Sequence, residues 1–302
     1  MKPKFDAVLV VSFGGPERRA DVIPFLERVL AGRNVPRERL EAVAQHYYHF
    51  GGRSPIGAAT RAIRGALERE LTAHGPRLPV YLGNRNWHPL LEDTLRQMAG
   101  DGVRSAAAVV TSGFGSHAGS GRYLEDIARS RAGVGASAPR VRKLRLYYDH
   151  PQFLRIWAER VRAGFSKAGA GAGLIFTAHS IPAAMPGAAA YQRQLRWAAG
   201  RIAKAAGAQR WWLGYQSRSG PPGQPWLAPS VEQRLAEARG EGCGVVVAAP
   251  LGFISDHMEV VYDLDVEARE EARRRGLRFV RVATPGNHPK FAALLRALII
   301  GE

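Results

Sequence analysis

Residues 245–268, VVVAAPLGFISDHMEVVYDLDVEA, open as a small apolar run and then carry six acidic or imidazole side chains within twelve residues. The run 245–250 is typical of a strand buried on both faces of a parallel sheet. The segment from Glu259 onward has the apolar spacing of a helix packed on such a sheet. A buried strand followed by a helix predicts a βα unit, so this stretch indicates an α/β protein.

The same alternation runs through the whole 302-residue chain and predicts two similar Rossmann-like halves, residues 1–165 and 166–302. Each half is expected to hold a parallel four-stranded sheet flanked by helices, with an active-site cleft between the halves. We allow for helix 290–300 to pack back on the first half. The predicted strands are 7–13, 80–83, 106–111, 144–147, 174–178, 211–216, 245–250 and 279–282. The predicted helices include 21–30, 37–48, 60–73, 89–99, 191–206, 230–239, 259–275 and 290–300.

The net charge is strongly positive: 43 Lys and Arg against 26 Asp and Glu leave +17. Such a field attracts nucleic acid, an anionic membrane face or a carboxylate-rich small molecule. Solvated arginine runs such as 140–145 and 273–275 explain the charge equally well. No zinc-finger spacing, RNP-like strand or long basic tail is visible, so the sequence does not favour a nucleic-acid partner.

The compartment follows from cysteine usage and apolar runs. The single Cys243 cannot form an internal disulfide, which fits a reducing compartment. The apolar stretch at the N-terminus is too short for the core of a signal peptide, and the longest later run, 244–254, is about half a membrane span. We therefore expect a cytoplasmic protein with no transmembrane segment.

Three carboxylates follow the strand at helical spacing. Glu259, Asp263 and Glu267 recur at i, i+4 and i+8, which drifts by only about 40° per step in an α-helix and puts them on one face. Like charges so placed repel one another, so a path for cations or protons explains the line better than stability does. The alternative is that Asp256 and Glu259 cap the start of the helix.

Six stretches of the sequence occur in the order in which one enzyme family has them: AVLVVSFGGPE at 7–17, HYYHFGGRSPI at 46–56, GNRNW at 83–87, FTAHSIP at 176–182, YQSRSGPPGQPWLAP at 215–229 and PLGFISDHMEVVYDLD at 250–265. By these stretches the chain resembles the ferrochelatases over nearly its full length. They are most similar to those of compact Gram-positive, actinobacterial-type members similar to coproporphyrin III ferrochelatases. The resemblance implies insertion of Fe(II) into a porphyrin with release of two protons, as a step of heme biosynthesis.

The resemblance carries over to His179 and Glu259 as the catalytic and metal-binding pair, with Asp263 and Glu267 as an outer path. Imidazole and carboxylate both bind Fe(II) and both exchange protons, so the residues leave open which one does which. His179 alone could equally be a hydrogen-bonded histidine at a strand end.

The resemblance and the need for an apolar slot with polar groups at the propionates predict the porphyrin contacts. Phe13 stands where some relatives have Tyr, and it is expected to offer a ring face only. Arg53 is a further candidate from its charge. The predicted porphyrin-binding residues are Phe13, Arg33, Ser54, Tyr123, Ile181 and Trp226.

The expected partners are the porphyrin and Fe(II), which is a substrate, with no prosthetic group. One cysteine excludes a [2Fe–2S] cluster held by four cysteines. Because the sequence ends at Glu302, without the C-terminal segment of other members, we expect a monomer, with transient contacts to neighbouring enzymes of the heme pathway. The alternatives are protoporphyrin IX as substrate, a cobalt or nickel chelatase, a tetrapyrrole or metal carrier without turnover, and a nucleic-acid-binding protein.

Overall fold

The computed structural model describes residues 4–32, 35–220 and 223–301. The described part of the chain holds eight strands, which form two separate four-stranded parallel sheets. The strands are β1 (Ala7–Ser12), β2 (Val80–Asn84), β3 (Ser105–Val110), β4 (Arg140–Lys143), β5 (Gly173–His179), β6 (Trp211–Gln216), β7 (Val245–Ala249) and β8 (Arg278–Arg281).

Helices connect the strands and cover the sheets. They are α1 (Val22–Leu30), α2 (Arg37–His49), α3 (Ile56–His74), α4 (Leu91–Gly100), α5 (Arg122–Val134), α6 (Pro151–Ala168), α7 (Ala188–Ala206), α8 (Val231–Gly240), α9 (Met258–Tyr262), α10 (Arg269–Arg274) and α11 (Phe291–Gly301). Two π-helical turns, His117–Gly121 and Asp263–Ala268, precede α5 and α10, and 3₁₀ turns occupy Arg19–Asp21 and Pro285–Asn287.

The chain forms two compact units. The first comprises the described residues of Met1–Thr111, Tyr123–Arg145 and Leu295–Glu302, and the second those of Ser112–Arg122 and Leu146–Leu294. The predicted boundary at residue 165 differs from this division, because α6 packs on β7 and β8 and so belongs to the second unit. Within α11, the Arg296 guanidinium donates to the carbonyl oxygens of His74 and Gly75 at 2.6 Å, which ties this turn to the first unit.

The first unit has the strand order β2-β1-β3-β4. Every residue of β1 is buried, because its side chains alternate between two helical layers. Leu9 packs with Leu95 and Met98 of α4 on one face, and α3 packs on the sheet from the other side. The buried, unbroken apolar run AVLVVS therefore makes a central strand.

The second unit repeats the arrangement with the order β6-β5-β7-β8. Ile175 and Val246 pack against Leu235, Val260 and Leu264 on one face, and helices α6 and α7 cover the other. A Cβ at Gly164 of α6 would lie 2.8 Å from the Val247 side chain, so glycine is needed there for the helix to approach β7. The predicted fold class, two α/β halves with parallel four-stranded sheets, is confirmed.

Two predicted elements are wrong in detail. The strand predicted at 144–147 lies instead at Arg140–Lys143. It is an edge strand that pairs only with β3, and exposed Arg140 and Arg142 alternate along it with half-buried residues. It therefore lacks the apolar run that marks the buried strands. The continuous helix predicted at 259–275 is instead α9, a π-helical segment and α10 in succession. The remaining predicted elements are present, with ends that differ by a few residues.

Candidate active site

The site residues of the second unit lie at the carboxyl ends of three neighbouring parallel strands. His179 ends β5, Gln216 ends β6, and the loop after β7 leads to Glu259 in α9. Since parallel strands end at one edge of the sheet, these side chains converge there. The loop is held against β5, because the Gly252 N–H donates to the Thr177 carbonyl at 3.0 Å.

His179 and Glu259 form an imidazole–carboxylate pair at this edge. His179 Nε2 lies 3.4 Å from Glu259 Oε1. The other ring nitrogen, Nδ1, bonds to the carbonyl oxygen of Ser180, so it must carry a hydrogen and donate it. The pair is partly hydrated, since the side chains keep 32% and 50% of their surface exposed. A ligand approaching from the open side can therefore reach both groups.

The two groups hold each other in their charged forms. Desolvation opposes a charge on His179, but the Glu259 carboxylate outweighs it and raises the pKa of His179 to about 9. Desolvation also opposes a charge on Glu259, but His179 lowers the pKa of that carboxyl to about 2. Near neutral pH the pair is thus an imidazolium facing a carboxylate.

A second histidine flanks Glu259. His257 Nδ1 lies 4.0 Å from Glu259 Oε2, and its ring packs at 5.0 Å on that of Phe253. Burial lowers the pKa of His257, against the attraction of Glu259. His257 is a site residue that the sequence analysis did not assign, although it stands in the acidic stretch beside Asp256.

The carboxylate line continues into the π-helical segment. Asp263 lies one turn beyond Glu259, and its Oδ2 accepts from the Ser217 hydroxyl and, at 3.3 Å, from Gln216 Nε2. The same amide nitrogen donates at 2.5 Å to the carbonyl oxygen of Glu259. Gln216 and Ser217, also unassigned from the sequence, thus join the strand edge to the helix.

The two outer carboxyls differ in their surroundings. Burial raises the pKa of Asp263 to about 7, and Glu259 and Glu267 add to this rise, whereas the Ser217 hydrogen bond opposes it. Glu267 is exposed; partial desolvation, with Glu232 nearby, raises its pKa. The carboxylates therefore run from Glu259 in α9 through a half-buried Asp263 to an exposed Glu267 in the π-helical segment.

The other two acidic residues of the stretch have a structural partner. Arg281 of β8 donates to both oxygens of Asp256 at 3.1 and 3.0 Å, and its Nε donates to Asp265 Oδ1 at 2.9 Å. No side chain caps α9, whose N-cap residue is His257. The alternative reading of Asp256 and Glu259 as a capping pair is therefore wrong.

Ile181 and Trp226, two predicted porphyrin contacts, lie in the same unit. The Leu227 N–H donates to the Ile181 carbonyl at 2.9 Å, and Trp226 pairs with Pro182 through an antiparallel bridge. Ile181 is buried and Trp226 half-buried. The two side chains thus lie on two short paired segments, 181–182 and 226–227, the first of which begins two residues after His179.

Phe13 and Tyr123 are embedded in the first unit. The Phe13 ring packs edge-on against Phe25 at 6.2 Å. Tyr123 is buried, and its hydroxyl lies 3.2 Å from that of Thr111. The Arg85 guanidinium lies over both aromatic rings, 5.6 Å from Phe13 and 4.9 Å from Tyr123. The structure thus brings these two predicted residues together around one cation.

Ser54 and Arg53 line an open cavity of about 830 Å³ in the first unit. The Arg53 Nε donates to the carbonyl oxygen of Glu17 at 2.9 Å, which fixes the side chain at the rim. Trp87 and His88 contribute aromatic surface to the same cavity. The remaining predicted contact, Arg33, lies outside the described residues.

Within residues 4–32, 35–220 and 223–301, no group of three or more His, Cys, Asp or Glu side chains is arranged to hold a metal ion. In the same part of the chain, no helix combines the length and apolarity needed to cross a membrane.

Solved structures of low sequence identity share the fold. SirB from Bacillus subtilis, determined with Fe³⁺, superposes with a TM-score of 0.60 at 12% identity over 97% of this chain and 94% of its own. CbiX, described as the terminal enzyme of siroheme biosynthesis in denitrifying bacteria, gives a TM-score of 0.55 at 14% identity over 98% of both chains. These likenesses concern the fold alone.

Sequence relatives are much closer. A coproporphyrin III ferrochelatase of Mycobacteroides abscessus is 50% identical over 98% of this chain and 88% of its own length. One from Nocardia farcinica is 49% identical over 97% and 87%, and a ferrochelatase of Rhodopirellula baltica is 46% identical over 98% and 86%. The sequence model of the ferrochelatase family matches residues 5–302. The chain therefore belongs to the ferrochelatase family of metal chelatases.

Proposed function

We propose that this chain inserts Fe(II) into coproporphyrin III, giving coproheme and releasing two protons, as a step of heme biosynthesis. The observation that carries the proposal is the pairing of His179 Nε2 with Glu259 Oε1 at 3.4 Å, at the head of a line of carboxylates. Membership of the ferrochelatase family supports the reaction, and the relatives named coproporphyrin III ferrochelatases support the substrate.

The reaction needs groups for two tasks. Fe(II) must exchange bound water for four pyrrole nitrogens, and two of those nitrogens must lose their protons. A carboxylate oxygen suits the first task, because it is anionic and, as an oxygen ligand, holds the borderline Fe(II) ion less tightly than a nitrogen ligand does. An imidazole suits the second, because it gains and loses a proton near neutral pH.

We assign metal handling to Glu259 and proton handling to His179. Asp263 and Glu267 follow Glu259 along α9 and the π-helical segment, so an ion passed along this line meets Glu259 last. His179 comes from the strand edge and faces the carboxylate through its Nε2. Iron arriving at Glu259 competes with the imidazolium for the carboxylate, which lowers the proton affinity of His179 and frees it to carry pyrrole protons away.

Charged and polar groups of the first unit support a carboxylate-rich porphyrin. Ser54 and Arg53 line the cavity described above, and hydroxyl and guanidinium donors suit propionates. Coproporphyrin III carries a propionate on each of its four pyrroles, whereas protoporphyrin IX carries two. A macrocycle with a carboxylate on every side is bound more strongly by polar partners on several sides, and a protein of net charge +17 attracts it more strongly.

An anaerobic turnover assay tests the proposal. Wild-type protein with Fe(II) and coproporphyrin III should form coproheme, and His179→Ala should abolish turnover while porphyrin binding stays within about tenfold. Parallel assays with Co(II) and Ni(II) address the cobalt or nickel chelatase alternative, because nitrogen and oxygen ligands do not by themselves select iron. Near-normal turnover in the histidine variant would sink the assignment of the pair.

The outer carboxylates are expected to matter less than Glu259. Asp263→Ala and Glu267→Ala should each slow turnover at limiting Fe(II) by less than Glu259→Gln does, because they stand one and two turns farther out. The measurement is kcat/KM for Fe(II) at saturating porphyrin. A larger loss in either outer variant would contradict the order of roles along the line.

The proposal also places the enzyme in the cytoplasm as a monomer that hands its product to neighbouring enzymes by transient contact. Its one cysteine, Cys243, is buried and unpaired, which suits a reducing compartment. Light scattering after size-exclusion chromatography tests the oligomeric state: a mass of about twice the 32.9 kDa of the chain would contradict a monomer.

A further inference from the structure

Ser217 has a backbone conformation that residues other than glycine rarely adopt. Among the described residues it alone combines a side chain larger than that of glycine with a positive φ, 61°, in the left-handed region. Glycine adopts this conformation without strain, and asparagine and aspartate tolerate it better than serine does. The thirteen other described positive-φ residues are glycines. What serine offers at such a position, and glycine does not, is a hydroxyl group.

The hydroxyl has one partner, the carboxylate of Asp263. Ser217 Oγ donates to Asp263 Oδ2, and Gln216 Nε2 reaches the same oxygen at 3.3 Å. Both donors thus converge on Oδ2, and in the described structure Oδ1 accepts no hydrogen bond. A carboxylate anchored through one oxygen presents the other in a defined direction.

A neighbouring atom points to a ligand at the same place. The carbonyl oxygen of the Gln216 side chain is buried and has no hydrogen-bond partner among the described residues. Buried acceptors are rarely left without a donor, so a water molecule, free or bound to an ion, is expected to donate a hydrogen bond to this oxygen. The unpaired oxygens of Gln216 and Asp263 both suit the water shell of a divalent cation.

We propose that Ser217 is a positioning residue for iron transfer: its left-handed backbone aims the hydroxyl at Asp263 Oδ2 and leaves Oδ1 to receive hydrated Fe(II) on its way to Glu259. The inference rests on the proposed function and adds a residue to the metal route. It also explains why serine, and not glycine, stands at this turn. Ser217 acts through Asp263 and touches neither porphyrin nor iron.

Two substitutions separate the hydroxyl from the backbone. Ser217→Gly removes the hydroxyl and relaxes the backbone, whereas Ser217→Thr keeps the hydroxyl and strains the backbone further. We expect Ser217→Gly to raise KM for Fe(II) about tenfold, the loss typical of one hydrogen bond to a charged group. Its Tm should equal or exceed that of the wild type, and coproporphyrin binding should stay within twofold. Ser217→Thr should show the reverse, a KM near that of the wild type and a lower Tm.

A double-mutant cycle tests whether Ser217 acts through Asp263. In an Asp263→Asn background, Ser217→Gly should change KM for Fe(II) by less than twofold, because the anchored carboxylate is already gone. An unchanged KM in Ser217→Gly alone, or an equal loss in both backgrounds, would overturn the role of Ser217 and leave the proposed function intact. A wild-type protein without iron insertion would overturn the proposed function, and this role with it.

Discussion

At the scale of single residues, the proposed function couples the arrival of a cation to the departure of protons. His179 is charged because Glu259 is charged, and the reverse also holds, across 3.4 Å. Any cation that binds Glu259 removes the reason for His179 to stay protonated. Insertion of the metal into the porphyrin is likewise an exchange of a cation for protons, because one dication enters as two protons leave.

Asp263 allows a test of pH dependence. Its folded-state pKa of about 7 lies above the unfolded value near 3.9, so the folded protein binds this proton more tightly. Proton binding therefore stabilises the fold, and that stabilisation is lost as pH rises from about 4 through about 7. Asparagine is uncharged at every pH and therefore resembles the protonated form of Asp263. We expect Asp263→Asn to raise Tm relative to the wild type by at least about 2 °C more at pH 8 than at pH 5.

Differential scanning calorimetry at the two pH values measures this difference. The wild type serves as the control at each pH, so that pH effects from other groups largely cancel. A Tm difference that is the same at pH 5 and pH 8 would show that Asp263 does not hold its proton more tightly in the folded state.

Strain at Ser217 belongs to the same scale. A left-handed conformation costs a non-glycine residue about 1–2 kcal/mol. The hydrogen bond to Asp263 is worth about as much when that carboxyl is ionised, so Ser217 is then close to neutral for stability. Serine thus gives no net gain in stability over glycine at this position, which is consistent with the role proposed for its hydroxyl.

At the scale of elements, the π-helical segment Asp263–Ala268 carries two of the three carboxylates of the line, Asp263 and Glu267. An α-helix has 3.6 residues per turn, so a step of four residues overshoots one turn. A π-helix, with its i to i+5 hydrogen bonds, has more than four residues per turn, so the same step falls short of one turn. The π-helical step from Asp263 to Glu267 therefore offsets the drift of the α-helical step from Glu259 to Asp263. Such π-helical insertions are found mostly at functional sites.

Arg281 anchors this segmented helix to the sheet. It is 14% exposed and pairs with Asp256 before α9 and with Asp265 inside the π-helical segment. Replacing it with Met keeps the length of the side chain but leaves two partly buried carboxylates without a cation. We expect Arg281→Met to lower the free energy of unfolding by about 2–4 kcal/mol, near the range for breaking a buried ion pair.

Arg269→Met is the matched control, because Arg269 also pairs with Asp265 but is 56% exposed. We expect it to cost less than about 1 kcal/mol. Urea unfolding followed by circular dichroism gives both values. Equal costs for the two variants would mean that Arg281 is not an anchor of the helix.

At the scale of the whole molecule, the net charge of +17 acts on the substrate before any contact forms. A porphyrin with four propionates is attracted more strongly than one with two. This attraction is screened within about 8 Å at physiological ionic strength. We expect coproporphyrin III to have a higher kcat/KM than protoporphyrin IX, and the ratio of the two values to shrink as salt is raised.

Steady-state assays with both porphyrins between low and high NaCl measure this ratio. The kcat/KM for Fe(II) at saturating porphyrin is the control for general salt effects on the enzyme. Equal or reversed kcat/KM values at low salt would refute the choice of coproporphyrin III and return protoporphyrin IX as the substrate.

Much of the architecture could be predicted from the sequence, because it depends on patterns that are local along the chain, whereas the pairing of His179 with Glu259 was expected only from the resemblance to a family. Runs such as 245–250 are unbroken and apolar, which only a strand buried on both faces requires. The four-residue spacing of Glu259, Asp263 and Glu267 predicts one face of an α-helix, whereas the segment from Asp263 to Ala268 is π-helical. The strand at 140–143 was missed because an edge strand carries charges on its open side and lacks that signal.

The sequence by itself determined the α/β fold, the family and the line of carboxylates, since each is written in residue order and periodicity. Tertiary structure alone decided which polar residues serve the site. Asp256 and Asp265 stand in the same acidic stretch as Glu259, yet both form ion pairs with Arg281 of β8. Ser217 looks like an ordinary loop serine until its backbone angle and its contact with Asp263 are known. The physical reason is that hydrogen bonds and ion pairs act over a few ångströms in space, across separations of 16 to 46 residues along the chain.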